Sequence, residues 1–322
     1  MQINVWKYCS SKQEQEFLLS LDLAGGLTAS REKQAALLYT LSNHAEDHYR
    51  CVRIPKKNGG FRSLDVPDHL LKTVQKRILT QLLEQLPVSP CACAYRKGIS
   101  LLENVSPHTG KRCVLKLDIR DFFGSITYMS VYSLAFPGEF FPPAVRTLLT
   151  HLCCFHDTLP QGAPTSPYIS NLVMAPFDQH MINWCKSRGI TYTRYCDDLT
   201  FSGDFNPKEV KSYTESFLLR LGFELNQNKT RFFSSSHRQE VTGIVVNSRP
   251  HLQKTYRRKL RQEWYFLKKF GPEEHLKHMG SCLSPDKYLQ SLEGRIRYVL
   301  TIDPNDSEFI KMLHELHSFR SS

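Results

Sequence analysis

Three aspartates carry the strongest chemical signal in this 322-residue chain. Asp197 and Asp198 sit side by side in TRYCDDLTFS, Thr193 to Ser202, between two runs of strand-forming side chains. Alone, an Asp-Asp pair reads as a hairpin turn, because Asp favours turns and both flanks favour strands. Asp118 ends another strand-like run, VLKLD, whose alternation buries Leu115 and Leu117 and leaves the carboxylate at the strand's end. Taken singly it too reads as a turn or cap. Three carboxylates on neighbouring strands repel one another unless a cation sits between them, so the set points to a divalent metal site. Two Mg²⁺ ions there, with Mn²⁺ able to substitute, would lower the pKa of an attacking hydroxyl and neutralise a departing pyrophosphate. The constellation reads as nucleotidyl transfer.

The elements that must position these groups follow from periodicity and turn chemistry. Residues 1–50 read as helical, with Phe17, Leu18 and Leu21, then Leu37, Leu38 and Leu41, at helical spacing. Tyr49 to Val66 predicts a hairpin whose turn is KKNGG, since Asn-Gly between strand-like runs is a strong turn signal. A helix over Leu70 to Leu86 would bury Leu71, Val74, Ile78 and Leu82 on one face. Residues 111–119 form a short buried strand, and LPQGAPTSPYISN, Leu159 to Asn171, reads as a loop leading into a helix through Gln179. Strand, turn and strand follow over 190–202, then a helix at 207–221 and a hairpin through 247. From Arg249 to Phe270, eight basic residues stand against the single acid Glu263, which marks a separate C-terminal helical unit.

With 41% hydrophobic residues the chain can bury a large core and is not disordered. A net charge of +11 suits a phosphate-rich partner or an anionic membrane surface. No apolar run approaches about 18 residues, and the opening MQINVWKYCSSKQEQEF lacks a signal-peptide core, so the membrane reading is the weaker one. The ten cysteines include no paired CxxC units at zinc spacing and read as small buried hydrophobes in a reducing compartment, which predicts a cytoplasmic location.

Five stretches in order give the chain a resemblance to reverse transcriptases over nearly its whole length. IPKKNGGFRSLDVPDHLLKTVQKRIL resembles the fingers motif, LKLDIRDFFGSIT the first palm motif, LPQGAPTSP the nucleotide-site motif, YCDD the YxDD box, and LGFELNQNKTRF the lysine-bearing motif. Within that group it is most similar to bacterial retron reverse transcriptases, through VTGIVVN at Val241 to Asn247, the form of QGAPTSP, and NVSPH at Asn104 to His108. Val105, Gly124 and Cys196 depart from the usual Ala, Pro and Ala of that pattern.

The resemblance implies an α+β right-hand polymerase: fingers over 1–110, a palm whose antiparallel sheet carries the carboxylates over 111–248, and a basic helical thumb over 249–322. It implies Asp118, Asp197 and Asp198 as metal ligands with the Ile119 carbonyl, and Arg62 with Lys56 or Lys57 on the triphosphate of a dNTP. Asp121, Gln161 and Gly162 would line the nucleotide site. Phe123 would block a ribose 2′-OH, with Phe122 its neighbour on the core side. Lys229 would be a general acid. Asn104, His108, Val241, Thr242 and Gly243 would contact RNA, and Arg257, Arg258 and Arg261 would grip the RNA or RNA:DNA backbone. A hairpin of solvated lysines, a VTG strand with a bulge and a solvated basic helix face are the plain alternatives.

The resemblance further implies a cognate noncoding RNA as template and primer, copied from an internal 2′-OH into RNA-linked multicopy single-stranded DNA, and anti-phage defence with a separate effector protein. No ribonuclease H or endonuclease pattern fits after Phe270, so template removal is expected from another protein. Two rivals remain: a group II intron or diversity-generating type of reverse transcriptase, and a catalytically silent RNA-binding scaffold.

Overall fold

The computed structural model describes residues 6, 8–28, 30–56 and 59–321, apart from the side chains at 318, 320 and 321. Two N-terminal helices come first, α1 (Ser11–Ser20) and α2 (Arg31–Asn43), the first opened by a capping box between Ser10 and Gln13. The expected hairpin follows as β1 (Tyr49–Pro55) and β2 (Phe61–Pro67), paired antiparallel from Tyr49 opposite Pro67 to Pro55 opposite Phe61. Asp68 accepts from the Leu71 amide to start α3 (His69–Arg77), which continues through a π turn, Ile78–Leu82, into a 3-10 turn, Leu83–Gln85. The wide π turn shifts the helical phase, so Leu83 is buried where regular spacing predicts Leu82.

The short α4 (Leu101–Val105) leads to β3 (Cys113–Asp118), then α5 (Tyr128–Ser130) and α6 (Pro143–Cys153). Next, α7 runs over Ser166–Lys186, starting inside the expected loop and extending beyond Gln179. Pro167 in its first turn has no helical partner to lose and presets φ, so the Pro that reads as a loop residue is a helix starter. β4 (Thr191–Tyr195), β5 (Asp198–Gly203) and α8 (Pro207–Arg220) come next. The expected hairpin ending at 247 is divided: β6 (Arg231–Ser234) pairs with β3, whereas β7 (Glu240–Val241), β8 (Ile244–Val245) and β9 (His251–Leu252) make a small sheet of their own. Three helices close the chain, α9 (Lys254–His278, broken at Gly271), α10 (Pro285–Ile302) and α11 (Ser307–Ser321).

The fold is α+β, built on a four-stranded antiparallel sheet in the order β4-β5-β3-β6. Its central strand β3 is buried along nearly all its length. One core fills the space between this sheet, α3, α6 and α7; a second joins Val105, Val114, Val241, Ile244 and Val246 to α9, α10 and α11.

A buried ion pair ties the sheet to α7. Arg194 on β4 and Asp178 on α7 are both fully buried, and the guanidinium meets the carboxylate through Nε at 2.9 Å and Nη2 at 2.6 Å. Nη1 donates to Asn171 Oδ1 at 3.1 Å and to the Cys196 carbonyl at 3.2 Å, and Tyr192 Oη donates to Asp178 at 2.9 Å. Burial pulls the Arg194 pKa down, and the Asp178 carboxylate more than reverses this, so the group stays charged.

A second buried polar cluster fastens α4 to the sheet. His108 Nδ1 lies 2.6 Å from Ser202 Oγ and Nε2 lies 2.8 Å from Thr193 Oγ1, while Thr193 donates to Asn104 Oδ1 at 2.8 Å. Because the Thr193 proton is committed, His108 carries its hydrogen on Nε2 and accepts from Ser202. Burial, with Lys111 adding to it, holds the imidazole down to about 3 from its ordinary 6.5. The unfolded chain therefore takes up this proton first, so the stability tied to neutral His108 is complete above pH 6.5 and lost as pH falls toward 3. The loss reaches about 2 kcal/mol near pH 5. Urea unfolding at pH 7.5 and at pH 5 should show the wild type weakening on acidification and His108→Gln weakening distinctly less; equal acid slopes would place the titrating group elsewhere.

Candidate active site

The β3–β5 register sets Asp118 directly opposite Asp198, and Asp197 occupies the two-residue turn between β4 and β5. The Asp197 carbonyl accepts the Ile119 amide at 3.0 Å, which locks the turn against the end of β3. Cys196, first in the turn, has φ 60°, a left-handed conformation that a side chain adopts at a cost of roughly 1–2 kcal/mol. These carboxylates face a cleft of about 550 Å³ that Ile119, Phe123, Gln161 and Lys229 also line.

The electrostatics of the cleft are those of crowded anions. Burial pushes the Asp197 carboxyl above its ordinary range, and the Asp118 charge adds to the rise. Asp198 is raised by burial and by both other aspartates, against the opposing pull of Lys116. Lys229 Nζ donates to Asp118 Oδ2 at 2.8 Å, and this bond and the neighbouring carboxylates hold the ammonium above its ordinary value. Among the described residues no three His, Cys, Asp or Glu side chains close into a metal cage. The donor set nonetheless fits a hard divalent cation: three carboxylates converge on one wall, two of them raised by burial and by neighbouring carboxylate charge, and Lys229 is paired with the third.

The remaining nucleotide-site residues divide. Lys56 and Arg62 reach the cleft from the exposed hairpin, whereas Lys57 lies outside the described residues. Phe122 is buried against Phe223, its ring 5.4 Å from that of Phe123, and Phe123 stands half-buried in the cleft. Asp121 is exposed at φ 43°, and its carboxylate fills the space at Gly124, where a Cβ would come within 2.4 Å of Oδ2. Gly162 makes a close approach to protein. A Cβ there would lie 2.7 Å from the Asp65 carbonyl, and the adjoining Gln161 carbonyl accepts the Asp65 amide at 2.8 Å, so the glycine docks the hairpin on the loop.

The expected RNA contacts need larger corrections. Asn104 and His108 are fully buried and spend their polar atoms inside the protein, so neither side chain can meet an RNA edge. Val241 is wholly buried in the second core. Thr242 and Gly243, at φ 45° and 86°, form the two-residue turn joining β7 to β8, and Asn104 Nδ2 donates to Thr242 Oγ1 at 3.4 Å. Of these five, only Gly243 is exposed.

On α9 the arginines face two ways. Arg257 pairs with Asp306, and Arg261 grips Glu308 through Nε at 2.7 Å and Nη2 at 2.6 Å, with both guanidiniums over the Phe309 ring. These two clamp α9 to α11. Arg258, with Lys254 and Lys259, is exposed on the helix.

Sequence reasoning missed the groups that hold the carboxylates. Arg194 stands three residues before Asp197 in a strand whose neighbours are buried, and Asn171 and Asp178 are seven apart on α7, two helical turns along one face. A charged residue inside a buried strand was the available signal, and the partner it demands could have been sought on the nearest helix.

Residues 54–246 match the family described as Reverse transcriptase (RNA-dependent DNA polymerase). The retron Mx65 reverse transcriptase of Myxococcus xanthus is 34% identical over 281 residues, 81% of this chain and 63% of its own length. The retron Ec86 reverse transcriptase of Escherichia coli is 33% identical over 230 residues, 70% of each chain. Among solved structures, telomerase from Candida albicans superposes with a TM-score of 0.46 over 88% of this chain and 63% of its own, at 12% identity, a distant likeness only. The family match over the carboxylate-bearing sheet, and relatives of one kind across most of the chain, lead to one conclusion: this chain belongs to the reverse transcriptase family, among the retron reverse transcriptases.

Proposed function

We propose that the protein is an RNA-directed DNA polymerase that adds deoxynucleotides to a primer on an RNA template. The observation that carries this reading is the register of Asp118 opposite Asp198 with Asp197 in the adjoining turn, all in one cleft with Lys56, Arg62 and Phe123. Asp118, Asp197 and Asp198, with the Ile119 carbonyl, would hold two Mg²⁺ ions, or Mn²⁺ in their place. Bound there, the metal would supply an acidified primer hydroxyl and a neutralised pyrophosphate. Lys56 and Arg62 bind the triphosphate, the arginine in the fork geometry that phosphate favours. Phe123 fills the space a 2′-OH would need, while Phe122 anchors it from the core. Lys229, bonded to Asp118 through Nζ, would deliver its proton to the departing pyrophosphate. The same reading divides the chain into fingers to about residue 110, palm to about 248 and a thumb beyond.

The retron relatives support a narrower role: copying a cognate structured RNA from an internal 2′-OH into RNA-linked multicopy single-stranded DNA, in anti-phage defence beside a separate effector. Ten free cysteines, six of them buried inside the fold, and the lack among the described residues of any helix long and apolar enough to cross a membrane suit work in the cytoplasm.

Extension of a DNA primer annealed to RNA tests the reading. The wild type should incorporate dNTPs, Asp118→Asn and Asp198→Asn should each lose incorporation while still binding RNA, and Phe123→Ala should accept ribonucleotides. Incorporation by both aspartate variants would refute the metal assignment, and an unchanged dNTP over rNTP preference would place the gate elsewhere. The two faces of α9 give a separate test. Neutralising Lys254, Arg258 and Lys259 together should lower the salt slope of RNA binding by about 2, as fewer counterions are released. Neutralising Arg257 and Arg261 should instead lower the melting temperature. The opposite assignment of effects would contradict the division of the helix.

A further inference from the structure

The reaction cleft has a neighbour. Tyr95 forms part of its wall and also part of the wall of a second cleft, about 270 Å³, bounded by Val88, Lys97 and Tyr168. Tyr95 is held out into this junction: its backbone has φ 61°, rare for a bulky residue, and the residue is 45% exposed. The chain before it is strapped down from two sides. The Arg194 amide donates to the Cys91 carbonyl and the Cys93 amide to the Arg194 carbonyl, each at 2.8 Å, and Asn171 Nδ2 donates to the Ala94 carbonyl at 2.9 Å. At its far end the Tyr95 hydroxyl donates to Cys196 Sγ, 3.1 Å away, in the turn that carries Asp197. A left-handed aromatic kept against its preference and bonded to a left-handed cysteine is a pose the surroundings impose.

The second cleft has the chemistry of a base slot. Two phenol rings and Val88 supply apolar walls, and Glu84 and Gln85 supply hydrogen-bonding groups. Arg96 turns its Nη1 into the protein, where it donates to the carbonyls of Ser89, Pro90 and Ala92 at 3.4, 3.4 and 3.2 Å. Lys97, exposed, is left to meet a phosphate. Aromatic faces are open only to unpaired bases, since duplex bases already stack on their neighbours. In an enzyme that copies RNA the primer is paired to its end, and the unpaired strand beside the reaction site is the template not yet copied.

We propose that this cleft receives the first unpaired nucleotide of the RNA template beyond the copied position, its base against Tyr95 and Tyr168 and its phosphate toward Lys97. Tyr95 is then a positioning residue that links the incoming template to the carboxylate turn through Cys196. The inference rests on the polymerase reading above.

The test uses the full chain and RNA–DNA duplexes whose template ends with one unpaired nucleotide, either intact or abasic, read by equilibrium binding and by single-nucleotide incorporation. Wild type should bind the intact overhang about tenfold more tightly than the abasic one, the contribution of a stacked base. That ratio should fall toward one in Tyr95→Ala and in Tyr168→Ala and persist in Tyr95→Phe, which keeps the ring and loses only the hydroxyl. A wild-type ratio of one, or a full ratio in both alanine variants, would overturn the slot. Because the ratio is read by binding, it is informative even without incorporation. Absent incorporation would overturn the polymerase reading, whereas a ratio of one with incorporation intact would overturn the slot alone.

Discussion

Arg194 and Asp178 bury two opposite charges completely, and the placement of the carboxylates depends on that pair. Stripping water from both ions costs several kcal/mol each, which only close geometry and further hydrogen bonds can offset. Both conditions are met: Asp178 accepts from two guanidinium nitrogens and from Tyr192, and Arg194 spends its remaining bonds on Asn171 and the Cys196 carbonyl. The pair thereby fastens α7, the 91–94 segment and the β4–β5 turn to one point. An apolar pair of the same volume could fill the space without fixing the turn, because it could not reach the Cys196 carbonyl.

A fixed turn matters because its contents resist being there. Cys196 sits in a left-handed conformation, and Asp197 and Asp198 are raised by burial and by each other's or Asp118's charge. Local preference and mutual repulsion both oppose this arrangement, and such conflicts concentrate where chemistry is done. Lys229 relieves part of the repulsion from the edge of the sheet. The outer hairpin is docked separately, through the Gln161–Asp65 bond and the space left at Gly162, so Lys56 and Arg62 approach the carboxylates from an arm with little packing of its own.

The legible parts of the fold were those with local chemistry. Alternation located β3, strand-forming side chains on either side of the Asp-Asp turn located β4 and β5, and the Asn-Gly turn located the β1–β2 hairpin. Pairing across the sheet was not legible in the same way: β6 joins β3 and leaves β7, because strand partners are chosen by long-range packing and not by proximity along the chain. The three aspartates stood out as residue types, but the RNA contacts were misplaced because polarity was read as exposure. Asn104 and His108 are polar residues whose hydrogen bonds are met in the core by Thr193 and Ser202, and Arg257 and Arg261 are charges that hold two helices together. Burial is decided in three dimensions, so a motif can mark a structural bolt as readily as a ligand contact.

The claim that the buried guanidinium sets the carboxylate turn is tested most directly by single-nucleotide incorporation on an RNA template by Arg194→Lys. Lysine keeps a charge for Asp178 but lacks the fork that also reaches Asn171 and Cys196. The account predicts a protein that still melts cooperatively and incorporates about a hundredfold more slowly, the effect of a small misplacement of reacting groups. A folded Arg194→Lys protein with the wild-type rate would contradict it.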